Sequence, residues 1–127
     1  MKKRPSGLER RISSPVRTPL VAAGFGLGNT GGGLHLWGIR IPDGTDVLVA
    51  FGDNGTDGDP DAQEWSVRRS HPSSTGFMLI ENLRLADAIS LAKRLPVSRQ
   101  EIKIDAREHA GVDKALETAR SLATGEG

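Results

Sequence analysis

The sequence predicts an α+β fold: a four- or five-stranded, mainly antiparallel sheet in the order ββββαβα, with two helices on one face. Three observations carry this prediction. Between residues 34 and 81 apolar residues recur with a period of two, in short runs cut by glycine, proline and aspartate. From residue 85 the period becomes helical, returns to two over 100–105, and becomes helical again towards the end. A run of strands followed by helices is the pattern of a sheet covered on one side.

Taken in order, residues 1–33 are expected to lie outside the folded body. Residues 1–19 combine bases, serines and Pro5, Pro15 and Pro19 without periodicity, which reads as a disordered basic arm. A glycine-rich hinge follows, and residues 34–127 form a single α+β domain. Leu34–Ile41 alternates, with His35, Trp37, Ile39 and Ile41 on one face and Leu34, Leu36 and Arg40 on the other. Pro42-Asp43-Gly44-Thr45 is a turn. Val47–Phe51 is apolar on both faces, as in a central strand. Gly52–Asp61 is too rich in Gly and Asp to pair. Gln63–Arg69 turns Trp65 and Val67 inward and Glu64, Ser66 and Arg68 outward, and Gly76–Glu81 supplies a fourth strand.

Leu85, Ala88, Ile89, Ala92 and Leu95 then recur at helical spacing, with Asn82 near the cap and Pro96 as a stop. Gln100–Asp105 turns Ile102 and Ile104 in, and Glu101, Lys103 and Asp105 out. Val112, Ala115, Leu116, Ala119, Leu122 and Ala123 make the last amphipathic stripe, with Asp113 and Arg120 placed to complement the helix dipole.

Charge is segregated along this order. Residues 1–40 carry seven basic side chains against Glu9 alone, whereas residues 41–64 carry seven acids and no base. The absence of cysteine excludes disulfides, thiolate metal sites and a Cys nucleophile, and fits a cytoplasmic protein. The twin arginine Arg10-Arg11 before Leu20–Gly28 is loosely export-like, but no small-x-small cleavage site follows. No apolar run reaches the ~20 residues of a membrane span, so no membrane contact is expected.

Motifs for chemistry are weak. Gly26-Leu27-Gly28-Asn29-Thr30-Gly31 matches a dinucleotide fingerprint but precedes a strand rather than a helix, so no cofactor is expected. Residues 53–64 resemble a twelve-residue EF-hand calcium loop in their acids alone. Asp53, Asp57, Asp61 and Glu64 fall at ligand positions and Gly58 at the sharp turn, yet Gly55 removes a ligand and the flanks are strands. A solvated acidic loop is the better reading, with no metal. His35, His71 and His109 lie in separate elements, and no serine sits in a nucleophile elbow; no catalytic residue is assigned.

The expectation is therefore a small non-catalytic binding protein acting through protein–protein contact, with a basic arm that touches nucleic acid. Lys2, Lys3, Arg4, Arg10, Arg11 and Arg17 form that arm, and Arg40, Arg68 and Lys103 share the sheet face opposite the helices. Asp57, Asp59 and Asp61 are the partner-binding candidates of the acidic loop. Two alternatives stand beside it: a DNA-binding accessory or regulator, and an inhibitor whose acidic loop mimics nucleic acid. Oligomeric state is left open.

Overall fold

The computed structural model describes residues 14–29, 35–42, 44–52, 55–56 and 58–125. Among these, six strands form one sheet in sequence order: β1 (Gly26–Asn29), β2 (His35–Arg40), β3 (Asp46–Phe51), β4 (Trp65–Ser70), β5 (Phe77–Leu83) and β6 (Glu101–Asp105). The first five make an antiparallel meander, and β6 pairs with β5 in parallel. Helices α1 (Ser14–Ala22), α2 (Leu85–Ala92) and α3 (Val112–Gly125) accompany them, with a 3-10 turn at Ala106–Glu108. The α+β class stands. Among the described residues the sheet is mixed and has six strands rather than four or five, and there are three helices rather than two.

Both additions come from the stretch expected to be arm and hinge. Helix α1 forms despite two prolines. Pro15 lies in the first turn, where an N–H has no intrahelical partner anyway. Pro19, inside the helix, removes a bond and costs about 3 kcal/mol. Val16 and Leu20, one turn apart, have no exposed surface. Burying them contributes roughly 1.5–3 kcal/mol each, enough to offset that loss. Strand β1 contains two glycines and one leucine, a poor strand by composition. It forms because β2 supplies a ladder: Leu27 pairs with Trp37 and Gly28 with Leu36. The folded body therefore includes residues 14–29, so the boundary expected at Leu34 moves towards the N-terminus. The earlier part of the arm lies outside the described residues.

The inward parity read from the sequence holds. Trp37, Trp65, Val67 and Ile104 are buried as expected, and Val47, Val49, Met78 and Ile80, to which the alternation assigns no direction, join them in one cluster with all three helices. Helix α1 contributes Val16 and Leu20, α2 contributes Leu85, Ala88, Leu91 and Ala92, and α3 contributes Ala115, Leu116 and Ala119. The parallel β5–β6 pair requires a crossover, which α2 provides across the same face. Where β5 begins, a Cβ on Gly76 would lie 2.1 Å from the Arg99 carbonyl carbon and oxygen. Only hydrogen fits under the chain that enters β6.

Asn82, expected near the cap of α2, has a different role. It adopts a left-handed backbone (φ 62°), and Arg84 occupies the N-cap without a side-chain capping bond. The helix start is held instead by the Leu85 N–H, which donates to the Pro60 carbonyl at 3.0 Å.

Candidate functional site

Because the helices pack on one side of the sheet, its other face carries no described helix. Strand parity determines what that face displays. Across the middle run Gly38, Leu48, Arg68, Leu79 and Lys103, one from each of β2 to β6. Ala50, Ser66 and Glu81 lie one pleat along, beside Leu36. Leu36, Leu48 and Leu79 are half-buried without belonging to the core cluster. These side chains line a cleft of about 170 Å³. Its floor is aliphatic, and its rim carries Arg68, Glu81 and Lys103.

The rim charges differ in how they are held. The Arg68 guanidinium stacks on the Phe77 ring, 4.0 Å from its centroid. That contact contributes roughly 0.5–1 kcal/mol at an exposed site and fixes the plane of the fork. Among the described residues, Arg68, Lys103, Glu81 and Glu101 make no salt bridge. Arg40 does: its Nε and Nη2 donate to the two Asp46 carboxylate oxygens at 2.8 and 3.2 Å, across the β2–β3 pair. That hydrogen bond, reinforced by the charge of Asp46, raises the Arg40 pKa.

At the end of β6 the Asp105 carboxylate is held well below the usual range. The largest cause is the Arg107 guanidinium, which donates at 3.1 and 3.2 Å; the Asn82 side chain and the Arg107 backbone N–H add to it. This accounts for Asn82: its strained backbone places the amide against Asp105. A second cleft of about 300 Å³ opens beside this network, between the ends of β5 and β6 and the starts of α2 and α3, with Arg84, Asp87 and His109 on its walls. The His109 ring lies 3.5 Å from the Thr118 hydroxyl.

The acidic loop is pinned, contrary to the expectation of an unpaired excursion. Phe51 and Gly55 exchange two backbone hydrogen bonds at 2.8 Å. The indole N–H of Trp37 donates to the Thr56 carbonyl and that of Trp65 to the Asp59 carbonyl, each at 2.9 Å. Gly58 is explained by packing: a Cβ there would stand 2.6 Å from the Phe51 ring. That ring in turn meets Trp65 edge-on, with centroids 5.2 Å apart. The Thr56 and Asp59 carbonyls meet the buried indoles while the Asp59 and Asp61 side chains stay exposed. The Asp61 N–H donates to Asp59 Oδ1 at 2.9 Å.

The predicted site residues thus separate. Arg68 and Lys103 share the open face and its cleft; Arg40 is on the same face, engaged by Asp46. Arg17 is not on a free arm: it lies half-buried on α1, its Nε enclosed without a hydrogen-bond partner among the described residues. Asp59 and Asp61 lie on the anchored loop. Lys2, Lys3, Arg4, Arg10, Arg11 and Asp57 lie outside the described residues, as do Asp53 and Asn54 of the calcium-like pattern. Among the described residues no group of three or more His, Cys, Asp or Glu side chains is placed to hold a metal ion, and no helix is long and apolar enough to cross a membrane. The floor residues Leu48, Ala50 and Leu79 were not singled out from sequence. The signal was there in Val47–Phe51, apolar on both faces.

No family model, no curated protein and no solved structure matches this chain.

Proposed function

We propose that this chain is a small non-catalytic binding protein whose uncovered sheet face docks a protein partner. One observation carries the reading: half-exposed leucines surround a cleft whose rim holds both cations and a carboxylate without salt-bridge partners. Apolar surface gains free energy when covered, and unpaired rim charges set which surface is accepted. The mixed rim favours protein over nucleic acid. A phosphate backbone approaching Arg68 and Lys103 meets Glu81 and Glu101 on the same face, and their repulsion offsets the gain from counterion release. Nucleic-acid contact, in this reading, falls to the basic residues ahead of α1.

The test is capture from nuclease-treated lysate by the immobilised full chain, compared with Leu79→Asp. A protein retained by the wild type and lost with the folded variant supports the reading. Equal retention by both overturns it.

The pinned acidic loop favours the mimicry alternative as a second reading. Asp59 and Asp61 present carboxylates from a backbone held by two indoles, so little order is lost on binding. Under this reading Asp59→Asn with Asp61→Asn removes capture while Leu79→Asp leaves it intact; the reverse pattern rejects it.

A further inference from the structure

We infer that the occupant of the uncovered face is the same face of a second copy of this chain, in a weak two-fold dimer. The inference rests on the reading of that face as a docking surface. A two-fold interface brings a patch against itself, so the patch must complement its own inverted image. This face does so in charge. Arg68 and Lys103 stand against Glu81 and Glu101, all four without salt bridges among the described residues, while Arg40 and Asp105 are already neutralised by Asp46 and Arg107. A surface meant for a strongly acidic or basic partner would carry an excess of one sign. Here the unpaired charges balance around a leucine floor.

Register makes the pairing concrete. Leu79 lies beside Arg68 across β4–β5, and Glu81 is one pleat further along the same strand. A two-fold axis running along that seam sets each Arg68 over the partner copy's Leu79, and the guanidinium, on leaving the Phe77 ring, swings along β5 towards the partner copy's Glu81. Stacked sheets pack about 10 Å apart at a small angle, a spacing that leucines from both sides fill.

The area sets the strength. The two-fold axis on the β4–β5 seam overlaps four strands of each copy, β3 to β6, which at about 4.8 Å apart and with about five residues each at ~3.3 Å give a face of roughly 320 Å². Two copies together bury about 640 Å², short of the ~1,000 Å² of a stable specific interface, so the dimer is transient and concentration-dependent.

Sedimentation of the full chain from about 10 μM to about 1 mM tests this. The mass is expected to rise from monomer towards dimer. Arg68→Glu should weaken association at least about tenfold, and adding Glu81→Arg in the same chain should recover most of it, which a merely structural role for Arg68 does not explain. A chain that stays monomeric throughout, or an Arg68→Glu variant that associates like the wild type, overturns the dimer. So does a double variant no better than Arg68→Glu. If the dimer fails while Leu79→Asp still abolishes capture of another protein, the docking face stands and only its occupant is wrong. If Leu79→Asp leaves capture unchanged as well, both readings fall.

Discussion

Replacing Gly58 with alanine tests whether the acidic loop is shaped by packing on the core. The glycine is not in a left-handed conformation, so alanine meets no backbone obstacle, and reduced freedom of the unfolded chain favours it by about 0.4–1 kcal/mol. Against this, the new Cβ would sit 2.6 Å from Cγ and Cδ1 of Phe51, roughly an ångström inside ordinary contact. The ring must move, at an overpacking cost of about 1–3 kcal/mol. Moving it also disturbs the edge-on contact with Trp65, worth roughly another 0.5–1.5 kcal/mol. The net expectation is a loss of about 1–3 kcal/mol. Urea unfolding followed by the fluorescence of Trp37 and Trp65 reports it, because both indoles bond to the loop. The decisive arm is the same change in a Phe51→Ala background. With the ring gone, Gly58→Ala should become neutral or mildly stabilising. A neutral effect in the wild type, or an equal loss in both backgrounds, refutes the reasoning.

Other expectations follow from the same packing. Leu20→Ala should lower stability by about 2–5 kcal/mol, since a fully buried leucine leaves a cavity, whereas an arm outside the core would give almost no change; chemical denaturation separates the two. Gly76→Ala should prevent stable folding or shift the start of β6, because the obstacle is the backbone of Arg99 rather than a movable side chain; circular dichroism and amide exchange over 98–103 read this directly. The depressed Asp105 pKa gives a defined pH dependence. Protons bind the unfolded carboxylate more readily, so its stabilisation is present above about pH 4 and is lost as pH falls through the lower folded value. Asp105→Asn should therefore flatten the acid limb of a stability–pH curve; an unchanged limb rejects the assignment.

Residues with strong periodicity were legible from sequence. The alternation of Trp65 and Val67, the helical spacing of Leu85, Ala88 and Ala92, and the stripe Ala115, Leu116 and Ala119 correctly placed strands, helices and core. Residues whose conformation is set by tertiary contact were not legible. Pro15 and Pro19 read as disorder, yet burial of Val16 and Leu20 overrides them. Gly26 and Gly28 read as a hinge, yet β2 recruits them into a ladder. The parallel pairing of β6 depends on where α2 returns the chain. For the open face, parity placed Arg68 and Lys103 opposite the helices, but setting Leu48 and Leu79 beside them required the strand register. Gly58 fits a calcium loop's spacing; only the Phe51 ring shows why it is glycine.

The account rests on the open sheet face being the working surface, and photo-crosslinking in living cells tests that most directly. A photoreactive residue in place of Leu79 is compared with one in place of Ser90, exposed on α2 on the helical side of the sheet. The account predicts a discrete protein adduct, with another chain or a second copy, from position 79 and none from position 90. No adduct at 79, or equal adducts at both positions, contradicts it.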